Sequence, residues 1–247
     1  MTTKIFKPII AYTLLNIFLT SSAYAQTVNI DMGGESGSTT ARIIQLFLLI
    51  TVVSVAPSLL VMVTSFTRII IVFSIVRQAM ASQQTPPNMV MVGLALFLTG
   101  FVMMPAFEKA WHDGMEPLIN EKIEVTEAVP LMAKPFHTFM LKQVREKDLE
   151  LFMNLSKTPK VDKVENVPYS VLIPAFMISE LRRAFEIGFL IYLPFLVIDM
   201  IIASVLMSMG MMMLPPTMLA MPFKLIFFVL IDGWYMLAGS LVQSFAK

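Results

Sequence analysis

Four long apolar runs divide this chain, and they restrict its fold before any motif is considered. Ile43–Met62, Met89–Pro105, Leu190–Met207 and Leu225–Val242 each approach the ~20 residues a helix needs to cross ~30 Å of hydrocarbon. Hydrophobic residues make up 57% of the chain and charged ones 14%. Soluble domains run at about 45–50% and about 25%, so the sequence is that of an integral membrane protein. The expected fold class is all-α: long helical hairpins with a small, mostly helical extracytoplasmic module. A net charge of +1 gives no reason to expect nucleic acid as a partner. The absence of cysteine excludes disulfides and thiolate metal sites.

Taken in order, residues 1–25 read as a cleaved secretory signal. Lys4 and Lys7 precede the mostly apolar Ile9 to Leu19, and Ala23-Tyr24-Ala25 supplies the small-x-small site. Residues 26–40 form a polar, glycine-bearing lead-in, and 41–107 hold the first helical hairpin region. Arg68 lies inside its apolar zone, where an arginine must face protein, water or a headgroup. Pro86-Pro87 closes a polar turn ahead of the second run.

Residues 108–167 differ in character, with nine Lys/Arg and eleven Asp/Glu. Phe136, Met140, Val144, Leu151, Phe152 and Leu155 recur there at helical spacing, against a charged face from Lys142 to Glu150. This is the expected extramembrane module. Residues 168–247 form the second hairpin region. Glu180, Arg182, Arg183 and Glu186 are embedded in its apolar start, with Glu180 and Arg183 at i,i+3 and Arg182 and Glu186 at i,i+4.

The most unusual stretch is Ile201–Phe223, with seven methionines, three prolines and no charge in twenty-three residues. Methionine specifies a packed core poorly but suits a surface that closes around objects of varying shape. Two readings follow, a deformable constriction or an apolar turn in lipid. Asp199 and Lys224 flank the stretch, and a hairpin through Pro215-Pro216 would bring them together. A separate partner for each charge is the alternative. Asp232 is a third charge in an apolar run. A cleaved signal and four spans would put the methionines on the cytoplasmic side, yet that loop offers none of the basic residues such loops carry. Four spans cannot enclose a wide pore, so a methionine-lined pore requires several copies around an axis.

No enzyme motif, phosphate loop or cofactor signature occurs, and His112 and His137 lack metal-ligand spacing. The chain reads as no enzyme, with no cofactor and no metal. A small-ion transporter using Asp199, Lys224 and Asp232 as a relay is the competing class. No inverted repeat of the kind such proteins show is visible.

Several blocks resemble the FliP family of type III export-gate subunits. They are Thr64-Ser65-Phe66-Thr67-Arg68-Ile69, Pro86-Pro87-Asn88, Gly93–Thr99, Glu180–Phe189, Pro194–Asp199, Met207–Met213, Pro222–Leu225 and Asp232-Gly233-Trp234. The resemblance implies five copies assembling with FliQ and FliR into a helical, closed pore complex for unfolded flagellar proteins. FliO would assist assembly, and FlhA and FlhB would complete the apparatus. It implies a basal body in the bacterial inner membrane, with much of the chain raised to the periplasmic side. A gasket is implied at Met211, Met212 and Met213, with Met209 beside it, and an interacting pair at Asp199 and Lys224. The remaining embedded charges, Arg68, Glu180, Arg182, Arg183, Glu186 and Asp232, are candidates for buried pairs or subunit contacts. A homologous virulence injectisome is the nearest alternative use. Met80-Ala81 departs from the family's frequent Leu-Gly, and Met89 stands where Gln is common.

Overall fold

A computed structural model of the chain describes residues 39–82, 85–156, 166–211 and 215–246. The signal peptide, nearly all of the lead-in, and Met212 and Met213 lie outside the described residues. The chain separates into two units, residues up to Ile50 and residues from Thr51. The described part of the first unit is the beginning of α1 (Thr39–Met62). The second unit holds everything that follows.

Within the second unit two helices form the frame. Helix α2 (Phe66–Ala79) buries one face, Arg68, Ile69, Val72, Phe73, Val76 and Ala79, at helical spacing. That face lies chiefly along α7 (Tyr169–Ser208), a single helix of 40 residues. The chain from Val171 to Met207 is therefore continuous, although the sequence breaks it into a charged segment and a separate third run. Neither the embedded charges nor Pro174 and Pro194 end the helix. In an apolar setting neighbouring helices can re-satisfy the carbonyls that proline frees. At ~1.5 Å per residue α7 is ~60 Å long, about twice the hydrocarbon thickness.

Helix α3 (Asn88–Ala110) returns beside α2. It continues through a π-helical turn (Trp111–Met115) into the short α4 (Glu116–Ile119), an apolar length of 32 residues. Only a narrow stripe of α3 is buried, Met91, Ala95, Thr99 and Met103, while Met89, Phe97 and Phe101 stand exposed. A helix apolar on every side is suited to lipid or to other chains.

The charged segment forms α5 (Val125–Gln143) and α6 (Glu146–Leu155). The regular apolar spacing from Phe136 to Leu155 suggests one helix, but the backbone turns extended at Val144 and Arg145. As a result Leu151 and Leu155 are exposed, while Met140 is buried and Phe152 packs against a local core of Leu149, Val171, Leu172 and Phe176.

Helices α8 (Pro216–Leu230) and α9 (Gly233–Gln243) carry the fourth run, bent by 64° between them. Asp232 makes the bend in a left-handed conformation, φ 52° and ψ 50°. Among the described residues two helices are long and apolar enough to cross a membrane, or three if the bent pair counts as one span. No strand occurs among the described residues, so the all-α expectation is met there.

Candidate functional site

The embedded charges of the second unit gather into three polar nodes. The first surrounds Arg68, which α2 carries into the interior at 1% exposure. An arginine presents five N–H donors in a fixed fork, and all five find acceptors here. Nε donates to Glu180 Oε2 at 2.8 Å, and Nη2 donates to Glu180 Oε1 and to Gln143 Oε1, the latter at 3.1 Å. Nη1 donates to the Ser244 hydroxyl at 2.9 Å and to its carbonyl at 3.3 Å. The guanidinium also sits 3.7 Å from the Phe245 ring centroid, a cation–π contact. Glu180 is fully buried. Gln143 takes a second donor, Arg183 Nη1 at 2.7 Å, and gives Nε2 to the Phe245 carbonyl at 3.3 Å. One ion pair thus ties α2, α5, α7 and the chain's last residues together.

A second node sits one residue away on α7. Arg145 grips Asp148 with two hydrogen bonds of 2.8 Å, and Ser179 donates to Asp148 Oδ2 at 2.6 Å. The Arg145 amide donates back to the Ser179 hydroxyl at 3.1 Å. Burial alone would raise the Asp148 pKa. The Ser179 and Arg145 hydrogen bonds outweigh it and hold the carboxyl below its ordinary range. Ser179, with Arg183 through Gln143, fastens the charged segment to the long helix.

The third node brackets the methionine stretch. Lys224 Nζ donates to Asp199 Oδ2 at 2.6 Å and to the Ala79 carbonyl at 3.0 Å. Lys224 is 2% exposed and Asp199 27%. The other carboxylate oxygen, Asp199 Oδ1, is shielded and has no hydrogen-bond partner among the described residues. A single hydrogen-bonded ion pair between the two arms thus closes the hairpin while one carboxylate oxygen stays without a partner among the described residues.

The structure brings Asp199 to Lys224 and Arg68 to Glu180 within one chain. Glu180 faces Arg68 across the helix packing, whereas Arg183, its i,i+3 neighbour, turns to Gln143. Arg182 and Glu186 pair at 2.7 Å on an exposed face. Asp232 is exposed at the α8–α9 bend and joins none of the three nodes. Met209 and Met211 are exposed past the end of α7. His112 lies 2.8 Å from Glu116, and His137 Nε2 is 2.7 Å from the Val167 carbonyl. No cluster of metal-ligating side chains occurs among the described residues. Sequence reasoning missed Gln143, Ser179, Asp148, Ser244 and the Ala79 carbonyl. Each is an ordinary residue whose role depends on contacts 30 to 180 positions away in the chain, and no local pattern marks them.

Long apolar helices pinned by buried ion pairs define the class: an all-α membrane protein without an evident catalytic centre among its described residues. The family follows from comparison. Residues 49–241 match the model of the FliP family, and this chain belongs to that family. It is 54% identical over 228 residues to the flagellar biosynthetic protein FliP of Caulobacter vibrioides, covering 92% of this chain and 85% of that one. It is 53% identical to the protein of that name from Bacillus subtilis, covering 82% and 91%. With the one from Pectobacterium carotovorum it shares 45% identity, covering 93% and 90%.

Proposed function

We propose that this chain is a structural subunit of the flagellar type III export gate. It joins further copies of itself, five in all, with FliQ and FliR in a closed pore for unfolded flagellar proteins. FliO, FlhA and FlhB are the other proposed associates. The gate lies in the bacterial inner membrane, with the charged segment on the periplasmic side. The carrying observation is the methionine-rich link between α7 and α8, held at its base by Asp199 and Lys224. Met209 and Met211 are exposed on it, available to line an opening shared among copies. Thioether side chains adapt to many shapes, so such a ring seals when empty and yields to a passing chain.

The relatives bear the name of flagellar biosynthetic proteins, which favours flagellar use over a virulence injectisome. A relay of Asp199, Lys224 and Asp232 finds no support, because Asp232 stands apart at the bend. In this reading the chain catalyses nothing and supplies the passage itself. The test is ion conductance through the assembled complex in planar bilayers. Replacing Met209, Met211, Met212 and Met213 by alanine should open a steady leak. Conductance equal to the unaltered complex would sink the gasket reading.

A further inference from the structure

Helix α2 ends against Lys224, and its final carbonyls can be accounted for one by one. An α-helix leaves its last four carbonyls without partners inside the helix. Here Val76 O accepts from the Met80 amide at 3.0 Å, Gln78 O from Ala81 at 3.0 Å, and Arg77 O from Ser82 at 3.3 Å. Ala79 O is the one left over. It lies on a fully buried residue, and the Lys224 ammonium donates to it at 3.0 Å. A cation at this position also meets the negative end of the helix dipole.

The turn that follows is held under strain. Ala81 takes a left-handed conformation, φ 58°, which costs a residue with a Cβ free energy that glycine avoids. A strained turn next to a buried, otherwise unpartnered carbonyl depends on whatever satisfies that carbonyl. Lys224 belongs to α8, the second arm of the methionine hairpin.

We infer that Lys224 is the terminator of α2 as well as the partner of Asp199. One ammonium then closes the methionine hairpin and holds the α2–α3 turn, so that withdrawing that ammonium, and not merely weakening its bond to Asp199, releases both. The turn is a second moving part, coupled to the hairpin through the Ala79 carbonyl. The Asp199–Lys224 pair by itself would give no such coupling.

Hydrogen–deuterium exchange on the full chain in lipid nanodiscs tests this, read at Met80–Ser82, at Met207–Met211, and at Leu141–Val144 as a reference. Lys224→Met keeps the length and removes the donor. Exchange at Met80–Ser82 should rise about tenfold, the worth of one lost buried hydrogen bond. Asp199→Asn retains an acceptor for the ammonium, so the hairpin arms should loosen while the turn stays within twofold of wild type. The exchanged pair, Asp199→Lys with Lys224→Asp, restores opposite charges but cannot donate to Ala79. It should leave the turn exposed.

Turn protection recovered by the exchanged pair, or a turn that loosens as much as the arms in Asp199→Asn, would overturn the inference. A change below twofold in Lys224→Met would do the same. If Lys224→Met also loses the reference region it has unfolded globally, and Asp199→Asn then decides. Lys224→Arg, which keeps donors for both acceptors, should return the turn to within threefold of wild type. Exchange is read on the chain alone, so its failure leaves the export reading standing.

Discussion

Arg68 and Lys224 are both cations carried into an apolar interior, each facing a carboxylate on α7, yet their surroundings differ. Arg68 has every donor occupied and an aromatic ring behind it, and its carboxylate is fully buried. Lys224 is equally buried, but Asp199 is partly exposed and keeps one oxygen without a partner. Burying an ion pair adds little net stability over apolar packing, whereas removing one partner is costly. The difference is therefore one of mobility. The saturated node has no second arrangement to adopt without losing hydrogen bonds, and the open one has an acceptor to spare. In the proposed export gate, a subunit that assembles firmly and still yields somewhere would have reason to contain one of each.

The sharpest way to break this contrast is to remove both cations in turn. Arg68→Ala should lower stability by about 3–5 kcal/mol in chemical denaturation, since Glu180 is left buried and alone. Lys224→Met should cost clearly less, because Asp199 reaches solvent. Equal losses would erase the distinction. A subtler probe lies between the nodes, where Gly188 of α7 packs against Ile75 of α2. A Cβ on Gly188 would fall 2.4 Å from Ile75 Cδ1 and 3.2 Å from its Cβ. Gly188→Ala should therefore push the helices apart and cost about 1–3 kcal/mol. The contrast predicts that exchange rises near Lys224 and not around Arg68.

Ala81→Gly should act in the opposite direction. It relieves the left-handed alanine and should stabilise the chain by about 1 kcal/mol, read as a higher denaturation midpoint. The smallest expected effect concerns pH. The Asp148 carboxyl titrates below its ordinary range when folded, so its contribution is complete above about pH 4. It is lost as pH falls through the lowered value, and α6 should detach from α7 in that acid window only. Asp148→Asn should remove the dependence.

The helical class and the expense of Arg68 could be anticipated from the sequence, and the closure of Asp199 on Lys224 stood there as one of two open readings. Apolar length, an isolated charge in an apolar run and two opposite charges around a double proline are local signals. Glu180 as the partner of Arg68 could not be read, because 112 residues separate them and a nearer arginine offered itself. The single long α7 was hidden for a related reason. Its charges look like a boundary until α2 and α5 are seen to satisfy Glu180 and, through Gln143, Arg183. The departure at Ala81, a single letter in the sequence, acquires meaning only once its backbone angle is known.

The uninterrupted run of α7 has a mechanical consequence. Glu180 and Asp199 are nineteen positions apart on one helix, a span of ~29 Å at ~1.5 Å per residue. Arg68 clamps the helix at Glu180, so a tilt about that point would use the span to Asp199 as a lever arm. A tilt of ~5° about that point carries Asp199 sideways by ~2.5 Å over such an arm. That is enough to separate two atoms that now sit 2.6 Å apart. A small rotation at Glu180 would thereby be amplified into the making or breaking of the one bond at Asp199.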